Sequence, residues 1–477
     1  MKTLTLFSLF LLVSCGRDET LNLIKNQTYG GTTAGQAVEI KYRMGLSKEF
    51  IDSSLSARTS LLSGKAQESV HIYTFTYVTN DANQGNDTFL GSGSIIIPNS
   101  VFTSDNPTAP WVVVNHGTIV DNASAPTNNI SEGLLEASLG FITIVPDYIG
   151  FGASYNSDPS VRIHPYIIAK SYASDGLNMM NAAKSALEAH GITLGRLYLK
   201  GYSEGGYATL ALQREIEKNH GGTFTITASA PSAGPYSTVG MGATLTNDPG
   251  KYSTISPTLF GYLTTSYYYN YPDISNAYSL SAILNQSSNY DVVNLFNGTK
   301  SSTETEAVYA SLGISTISGL LDSDLVTNMG ARSGAIFDGY NTMALTGDDT
   351  DFGTAITGTT EKFTLSLLAN DLLMDSNLNN GFLLYFPSVL TIFYHCTNDT
   401  TIALSATEGA VTAFNGVAAV ALGSANVRKR VDFPTATHGD CPHALLPALC
   451  FAQIEAAGGD ESALPDVADE TNYCHGN

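Results

Sequence analysis

Short runs of apolar and β-branched residues alternate with helical segments through the first half of the chain. The runs WVVVNHG (111–117), FITIVPD (141–147) and FTITASAPSAG (224–234) are largely apolar, unlike strands that have one solvated face. Between them, residues 169–189 carry apolar side chains at every third or fourth position, which marks one face of a helix. Strands that are buried on both faces and separated by helices form parallel sheets. The pattern therefore predicts an α/β fold with a doubly wound, mostly parallel sheet.

Two further features divide the chain into segments. VHIYTFTYVT (70–79) and DTFLGSGSIIIP (87–98) predict an antiparallel hairpin before the alternation begins. The alternation stops in a region rich in Tyr, Ser, Asn and Gly, and it resumes at SVLTIFYHCTND (388–399). A long insertion into a sheet of this kind is typical of a lid or cap. The predicted segments are a signal peptide (1–15), a polar tether (16–60), a first part of the sheet core (61–235), an inserted lid or cap (236–385) and a second part of the core (386–477).

The N-terminal segment MKTLTLFSLFLLVSCGRDET has the pattern of an export signal. One Lys precedes an apolar run from Leu4 to Val13, which is too short to span a bilayer but fits the hydrophobic region of a signal peptide. LVSC, ending at Cys15, resembles the bacterial lipobox, in which the Cys becomes lipidated. The sequence therefore predicts a lipoprotein of the outer membrane or cell surface, attached to the membrane only by its lipid. An ordinary secretory signal with an incidental Cys15 is the alternative.

Charge and cysteine content narrow the partners and the compartment. The chain carries 22 Lys and Arg against 43 Asp and Glu, a formal net charge of −21, so neither nucleic acid nor an anionic membrane surface is expected as a ligand. Four cysteines remain after Cys15, and an even number in an exported chain predicts two disulfides with three possible pairings. These cysteines are Cys396, Cys441, Cys450 and Cys474.

The segment GYSEGGY (201–207) contains a candidate nucleophile. It matches G-x-S-x-G between a predicted strand, RLYLKGYS (196–203), and a predicted helix, YATLALQREIEKN. In that context the Ser lies on a sharp turn at the end of a buried strand. The N-terminus of the helix favours negative charge beside Ser203, and the N–H of Glu204 is a natural oxyanion donor. We expect Ser203 to be a nucleophile; a glycine-rich turn without chemistry is the alternative.

A serine nucleophile needs a base, and it needs an acid that orients the base. The strand TIFYHCTND ends at Asp399, which we select as the acid, with Asn398 only as a hydrogen-bonding neighbour and Asp432 as the alternative. An Asp at this place is also common as a helix N-cap. His438 lies in the loop after a later strand and is selected as the base. His443 begins the last helix and is expected to pack locally.

The second oxyanion donor has two candidates. The N–H of Thr118 follows the first apolar strand, and the N–H of Asp147 ends the next one, so either can face a substrate oxygen. His116, beside the first candidate, is expected to be structural. No pair of histidines has a metal-ligand spacing such as H-E-x-x-H, so neither a metal nor another cofactor is expected.

Five segments together resemble the α/β-hydrolase superfamily. They resemble more narrowly the secretory lipases of the Candida lipase A type and their bacterial relatives. The segments are GFITIVPDYIGFG, SDGLNMMNAAKSAL, LYLKGYSEGGYATL, FYHCTNDTTI and ATHGDC. The resemblance covers residues 70–235 and 385–457 and includes an inserted lid before the acid.

The resemblance implies functional residues as well as a fold. It implies an esterase whose Ser-His-Asp triad consists here of Ser203, His438 and Asp399. It also implies an oxyanion contact at Asp147. The sequence departs from the family pattern at the turn that precedes Thr118, so the choice between Thr118 and Asp147 stays open.

One cysteine pairing fits these roles. Cys396 lies three residues before the proposed acid, and Cys441 lies three residues after the proposed base. A Cys396–Cys441 disulfide ties the two loops together and leaves Cys450 and Cys474 to hold the C-terminal tail. A local Cys441–Cys450 pair is the alternative.

The sequence therefore predicts a serine carboxylic-ester hydrolase that forms an acyl-enzyme. Its expected substrates are extracellular esters of lipids, aryl groups or acylated glycans. Six tyrosines between 262 and 278 either line an aromatic pocket for such a substrate or pack the lid on the sheet. A serine exopeptidase of the same superfamily and a non-catalytic surface lipoprotein that binds a ligand are the alternatives.

Overall fold

One twisted sheet organises the molecule. The computed structural model describes residues 23–130, 132–157, 163–247, 257–285, 293–346, 362–373, 385–416, 427–460, 462 and 472–475. Within these residues the sheet has ten strands. They are β1 (Gln27–Thr28), β2 (Ala37–Leu46), β3 (Val70–Asn80), β4 (Thr88–Pro98), β5 (Thr108–Asn115), β6 (Ile142–Pro146), β7 (Thr193–Tyr202), β8 (Ile226–Ser232), β9 (Leu390–Cys396) and β10 (Val427–Asp432).

The sheet is antiparallel at its N-terminal edge and parallel elsewhere. Its order is β1-β2-β3-β4-β6-β5-β7-β8-β9-β10. The β3–β4 pair is the predicted hairpin, with Val70 opposite Pro98. All pairs from β6 onward, through β5, β7, β8 and β9 to β10, are parallel. The predicted doubly wound, mostly parallel sheet is confirmed, and the parallel strands bring their carboxyl ends to one edge.

Sixteen α-helices lie in the described part of the chain. They are α1 (Lys48–Arg58), α2 (Asn99–Phe102), α3 (Leu134–Ser138), α4 (Gly152–Ser157), α5 (Ala169–Ala189), α6 (Glu204–Glu215), α7 (Thr238–Asn247), α8 (Pro257–Asn270), α9 (Pro272–Ala277), α10 (Val293–Phe296), α11 (Ser302–Ser311), α12 (Ile317–Leu320), α13 (Ser323–Thr346), α14 (Lys362–Asn370), α15 (Leu404–Phe414) and α16 (Leu446–Ala456). The amphipathic segment at 169–189 is helical over its whole predicted length.

Helices cover both faces of the sheet, which explains why its central strands are apolar throughout. Val113 of β5 belongs to a buried cluster with Leu212 of α6. The adjacent Val112 points to the other face, where it belongs to a cluster with Leu55 of α1 and Leu449 of α16. Burying one such valine contributes about 1.5–3 kcal/mol. Alternate side chains of one strand therefore stabilise two different layers.

The residues after 22 differ from the predicted tether. Ala37–Leu46 forms a strand that pairs antiparallel with β3, and α1 follows it and buries Ile51 and Leu55. The signal was an alternation of apolar residues with charged ones in AVEIKYRMGL, which is the pattern of a half-buried strand. The predicted signal peptide and Cys15 lie outside the described residues.

The insertion between β8 and β9 is helical in its described parts, which contain α7 to α14. It is anchored to the sheet layer by hydrogen bonds: the hydroxyl of Tyr207 donates to the carbonyl of Asn370 at 2.6 Å. Of the six tyrosines singled out, Tyr262 and Tyr267 are fully buried, whereas Tyr269 is 45% exposed. The two buried rings therefore pack the inserted helices.

Candidate active site

Ser203 lies on the sharp turn that the sequence predicts. β7 ends immediately before it and α6 begins immediately after it. Its φ of +63° and ψ of −124° form a backbone conformation that L-residues seldom adopt, at a cost of about 1–3 kcal/mol. A Cβ atom at Gly201 would overlap the backbone of Gly205, and one at Gly205 would overlap the carbonyl of Asn115. Glycine is therefore required on both sides of the turn.

Ser203, His438 and Asp399 form a continuous hydrogen-bonded chain. The Oγ of Ser203 lies 2.7 Å from Nε2 of His438, and Nδ1 of His438 lies 2.6 Å from Oδ2 of Asp399. The three residues follow β7, β10 and β9 respectively, so they meet at the carboxyl edge of the parallel strands. The side chain of His438 is 15% exposed, whereas that of Asp399 is fully buried. The structure thus brings together all three residues that the sequence selected for the triad.

Asp399 is held by its own turn as well as by His438. Its Oδ1 accepts the N–H groups of Thr401 and Ile402, both at 2.9 Å. The following helix, α15, has Ala403 as its N-cap, so Asp399 is not a helix cap. The carboxylate therefore has a fixed orientation with Oδ2 facing the imidazole.

A second histidine, which sequence reasoning did not select, contacts the same carboxylate. Nε2 of the buried His395 lies 3.3 Å from Oδ2 of Asp399, and its Nδ1 lies 2.8 Å from the hydroxyl of Thr407. Burial by itself raises the pKa of Asp399, but hydrogen bonds from His395 and His438 outweigh it and hold that pKa well below its ordinary value of 3.8. Asp399 therefore stays ionised and can stabilise a charged His438.

Tyr202 orients the other side of the His438 ring. The two ring centroids are 4.9 Å apart, and the Tyr202 hydroxyl donates to the backbone carbonyl of His438 at 3.0 Å. His438 itself lies in a turn from Thr437 to Asp440, in which the Thr437 hydroxyl donates to Oδ1 of Asp440 at 2.7 Å. His438 is thus positioned by its ring contact and by its backbone.

The alternative base and the alternative acid pair with each other instead of with Ser203. Nε2 of His443 contacts Oδ1 of Asp432. The other carboxylate oxygen, Oδ2, accepts a hydrogen bond from Nε of Arg430 at 3.2 Å. Burial lowers the pKa of His443 despite the raising effect of Asp432. As the sequence predicts, His443 packs locally.

The two candidates for the second oxyanion donor differ in whether their N–H groups are free. Among the described residues, no backbone hydrogen bond uses the N–H of Thr118 or of Glu204. The N–H of Asp147, in contrast, donates to the carbonyl of Ser92 at 2.9 Å. A Cβ atom at Gly117 would lie 3.8 Å from the Cβ of Ser203, so the turn that carries Thr118 borders the nucleophile. The structure therefore favours Thr118 over Asp147, whose N–H is occupied.

The side chain of Glu204 points into a buried polar network below the nucleophile. Its Oε1 accepts from the hydroxyl of Tyr172 at 2.8 Å and lies 3.0 Å from Nε2 of His164. Nδ1 of His164 lies 2.6 Å from the carbonyl of Ile149, and the side chains of His164 and Glu204 are each 1% exposed. Sequence reasoning gave no role to His164, because no local pattern links it to a residue forty positions later.

One of the two disulfides in the described residues lies beside the candidate site. Cys396 pairs with Cys441 and Cys450 pairs with Cys474, the pairing that fitted the roles of the neighbouring residues. The first bond links the strand that leads to Asp399 with the turn after His438. It therefore ties the acid and the base to one covalent frame.

The described part of the chain contains neither a metal-binding cluster nor a membrane-spanning helix. There, no group of three or more His, Cys, Asp or Glu side chains has an arrangement that could hold a metal ion. In the same residues, no helix combines the length and the apolar character needed to cross a membrane.

Comparison with known proteins identifies the fold. No protein-family model matches the sequence, and no curated protein matches it. The rice cell wall degrading esterase LipA from Xanthomonas oryzae superposes with a TM-score of 0.65 at 20% identity, over 89% of this chain and 98% of that one. A protein from Legionella pneumophila gives 0.67 at 17% identity, over 90% and 100% of the two chains.

Candida antarctica lipase A is also similar, with a TM-score of 0.56 at 14% identity over 93% of this chain and 88% of that one. At such identities the likeness concerns the fold, and it extends over nearly the whole of each chain. The order of strands and the position of Ser203 after β7 agree with it. The chain therefore has the α/β-hydrolase fold of these lipase-like proteins.

Proposed function

We propose that the protein is a serine hydrolase of carboxylic esters, with Ser203 as nucleophile, His438 as general base and Asp399 as the acid that orients it. The observation that carries this proposal is the chain of 2.7 Å and 2.6 Å hydrogen bonds that joins the three side chains. The strained turn at Ser203 supports it, because such a turn exposes the hydroxyl above the sheet. A binding protein without catalysis gives no reason for either feature.

The proposed reaction proceeds through an acyl-enzyme. Asp399 accepts a hydrogen bond from the Nδ1–H of His438 and so holds the tautomer in which Nε2 is free to take the proton of Ser203 as its oxygen attacks the ester carbonyl carbon. The N–H groups of Glu204 and Thr118 stabilise the negative oxygen of the tetrahedral intermediate. His438 then gives its proton to the departing alcohol, and water, activated by the same histidine, releases the acid. Each step uses only side chains and backbone groups of this chain.

The helical insertion is proposed to act as a cap that selects the substrate. It leaves β8 at the carboxyl edge, where Ser203 also lies, and it returns to the opposite end of the parallel strand β9. Esters of lipids, aryl groups or acylated glycans are the proposed substrates, and support comes from the similar proteins, which include a cell wall degrading esterase and a lipase by name. No described feature of the insertion favours a peptide substrate.

Export and lipid anchoring are proposed on separate grounds. The two disulfides are consistent with an exported protein. Anchoring rests on the lipobox-like segment ending at Cys15. Metabolic labelling with palmitate tests it: the wild type is expected to be labelled, whereas Cys15→Ala is expected to be unlabelled and released from the membrane. Equal labelling of both forms contradicts the anchor at Cys15.

The decisive test of the function is a series of p-nitrophenyl esters from acetate to palmitate. Wild-type protein is expected to hydrolyse at least one member, and Ser203→Ala is expected to lose about 10⁶-fold in kcat. Ser54→Ala, at an exposed serine of α1, is the matched control and is expected to keep wild-type rates. Equal activity of Ser203→Ala and wild type contradicts the proposal. Faster hydrolysis of aminoacyl-β-naphthylamides than of every ester favours a peptidase instead.

A further inference from the structure

Thr118 belongs to the turn that borders Ser203. It comes directly after Gly117, in the turn that follows β5. A Cβ atom placed on Gly117 would lie 3.4 Å from the carbonyl oxygen of Tyr202 and 3.8 Å from the Cβ of Ser203. Both Gly117 and Thr118 are only partly buried, in contrast to the fully buried residues of the strand that precedes them. Thr118 is therefore a partly exposed residue of the turn that borders the nucleophile.

Among the residues that the structure describes, the Thr118 hydroxyl has one hydrogen-bond partner, the hydroxyl of Tyr166 at 3.1 Å. A phenol is more acidic than an aliphatic alcohol, so it is the better donor of the two, and the alcohol oxygen is the better acceptor. Burial and the negative charge of Glu204 raise the pKa of Tyr166, so its hydroxyl keeps its proton. With Tyr166 as donor, the proton of Thr118 is left to point away from Tyr166.

The ring of Tyr166 is fixed by aromatic residues of the insertion. It stacks on Tyr262 of α8 with centroids 4.6 Å apart and planes at 6°. Tyr262 in turn stacks on Phe296 of α10 at 4.8 Å and 9°. Tyr166 is 7% exposed and Tyr262 is fully buried, so neither ring has room to turn. The donor that faces Thr118 is therefore held in place by the helices inserted between β8 and β9.

We propose that Thr118 is a catalytic residue that donates both its N–H and its side-chain O–H to the oxyanion, and that Tyr166 is a positioning residue that orients this O–H. The inference rests on the proposed ester hydrolysis at Ser203. The Thr118 hydroxyl keeps its proton throughout: it forms a hydrogen bond to the negative oxygen and transfers nothing. The oxyanion then has three hydrogen-bond donors: the N–H and the O–H of Thr118 and the N–H of Glu204.

The test is the kinetics of p-nitrophenyl ester hydrolysis by variants that change single hydroxyl groups. Thr118→Val keeps the shape and the N–H but removes the O–H, and it is expected to lower kcat about 100-fold with little change in KM. Thr118→Ser keeps a hydroxyl, so its kcat is expected to be at least about ten-fold higher than that of Thr118→Val. The affinity for a trifluoromethyl ketone, whose bound adduct carries an alkoxide, is expected to fall with kcat in the valine variant.

Tyr166→Phe tests the positioning role, because it keeps the stacked ring and removes only the hydroxyl. It is expected to lower kcat about ten-fold. The double variant with Thr118→Val is expected to be no slower than Thr118→Val alone, since Tyr166 acts only through the threonine hydroxyl. Tyr29→Phe is the matched control: the Tyr29 hydroxyl contacts His190 near the opposite edge of the sheet, and its loss is expected to leave kcat unchanged.

Three results would overturn the inference. They are a Thr118→Val variant within about three-fold of wild type, a Thr118→Ser variant as slow as Thr118→Val, and losses at Thr118 and Tyr166 that multiply in the double variant. Circular dichroism and thermal unfolding show which variants fold, and the serine and phenylalanine variants keep the test valid if the valine variant does not. Failure of the proposed function is distinguishable, because Ser203→Ala would then hydrolyse the ester as fast as wild type.

Discussion

Two pairs of histidine and carboxylate flank Ser203, and they differ in what surrounds them. On one side, His438 is 15% exposed, and its two nitrogens face Asp399 and the Ser203 hydroxyl. On the other side, His164 and Glu204 are each 1% exposed, and both nitrogens of His164 meet acceptors or hydroxyls of the protein itself. The first pair has one edge open to a reacting group, and the second has none.

The two sides also differ in how they are held. The Cys396–Cys441 disulfide ties together the loops that carry Asp399 and His438. The Glu204 side has no such bond among its described residues and relies on buried hydrogen bonds and stacked rings. The same two chemical groups therefore serve as reagents where a nitrogen of the histidine faces a reacting group, and as scaffold where both nitrogens are occupied by the protein itself. This difference predicts opposite responses to mutation.

The largest expected effect is on turnover by His438→Ala. It removes the proposed base, so kcat is expected to fall about 10⁶-fold. His164→Ala removes one of the two side chains that contact the buried carboxylate of Glu204, so the free energy of unfolding is expected to fall by about 3–5 kcal/mol. Urea unfolding and ester hydrolysis on both variants measure the two quantities. A His164→Ala variant that loses as much kcat as His438→Ala while remaining folded contradicts the division of roles.

The two carboxylates give the next largest contrast. Asp399→Asn is expected to lower kcat about 10⁴-fold, because an amide stabilises the wrong tautomer of His438. Glu204→Gln keeps an oxygen that accepts from Tyr172, and its effect on kcat is expected to stay within about ten-fold. Steady-state kinetics with one short-chain ester measure both. Equal losses in the two variants would show that the carboxylate of Glu204, and not only its N–H, takes part in the reaction.

The disulfides offer an internally matched pair. Replacing Cys396 and Cys441 with alanine opens a 45-residue separation, and replacing Cys450 and Cys474 opens one of 24. Chain entropy predicts losses in the free energy of unfolding of about 4 and about 3.5 kcal/mol. Only the first double variant is expected to lower kcat, by about ten-fold, because only that bond links the acid and the base. An equal loss of kcat in the second variant contradicts this.

The smallest expected effect, counted per pH unit, is on the pH dependence of stability, through Asp175 of α5. Burial raises the pKa of Asp175 to about 7, although hydroxyls of Tyr77 and Thr79 donate to its Oδ1. The folded chain therefore holds more protons than the unfolded chain between pH ~4 and pH ~7, and its free energy of unfolding falls as pH rises, by at most about 1.4 kcal/mol per unit.

Asp175→Asn keeps the accepting oxygen and has no proton to lose. Its free energy of unfolding is expected to be flatter than that of wild type over this range, which chemical denaturation at a series of pH values measures. Asp399 contributes with the opposite sign: its lowered pKa stabilises the fold at neutral pH, and that contribution is lost as pH falls below the unfolded value. Parallel curves for wild type and Asp175→Asn contradict the prediction for Asp175.

Local sequence patterns predicted the parts of the molecule that local patterns specify. Continuous apolar runs located the parallel strands, and G-x-S-x-G between a strand and a helix located the turn at Ser203. Asp399 and His438 were selected because each follows a strand, and the structure brings both to Ser203. The strand Ala37–Leu46 was not predicted, because the segment around it is polar in composition. Its only signal is the alternation of apolar and charged residues within the strand.

The remaining parts depend on contacts between distant residues. The choice between Thr118 and Asp147 depends on a hydrogen bond from Asp147 to Ser92, which exists only because β4 pairs with β6. The contact of His164 with Glu204 depends on how the segment before α5, which carries His164, packs against the first residue of α6. Neither contact leaves a periodic or motif signal, so the sequence alone did not reveal them.

The central claim is that Ser203 is the nucleophile and that His438 activates it. The most direct measurement is mass spectrometry of peptides from folded protein treated with a fluorophosphonate. Wild-type protein is expected to carry one adduct per chain, on the peptide that contains Ser203. Ser203→Ala is expected to carry none, and His438→Ala is expected to be labelled much more slowly. Labelling of another residue, or labelling at Ser203 that is equally fast without His438, would contradict the claim.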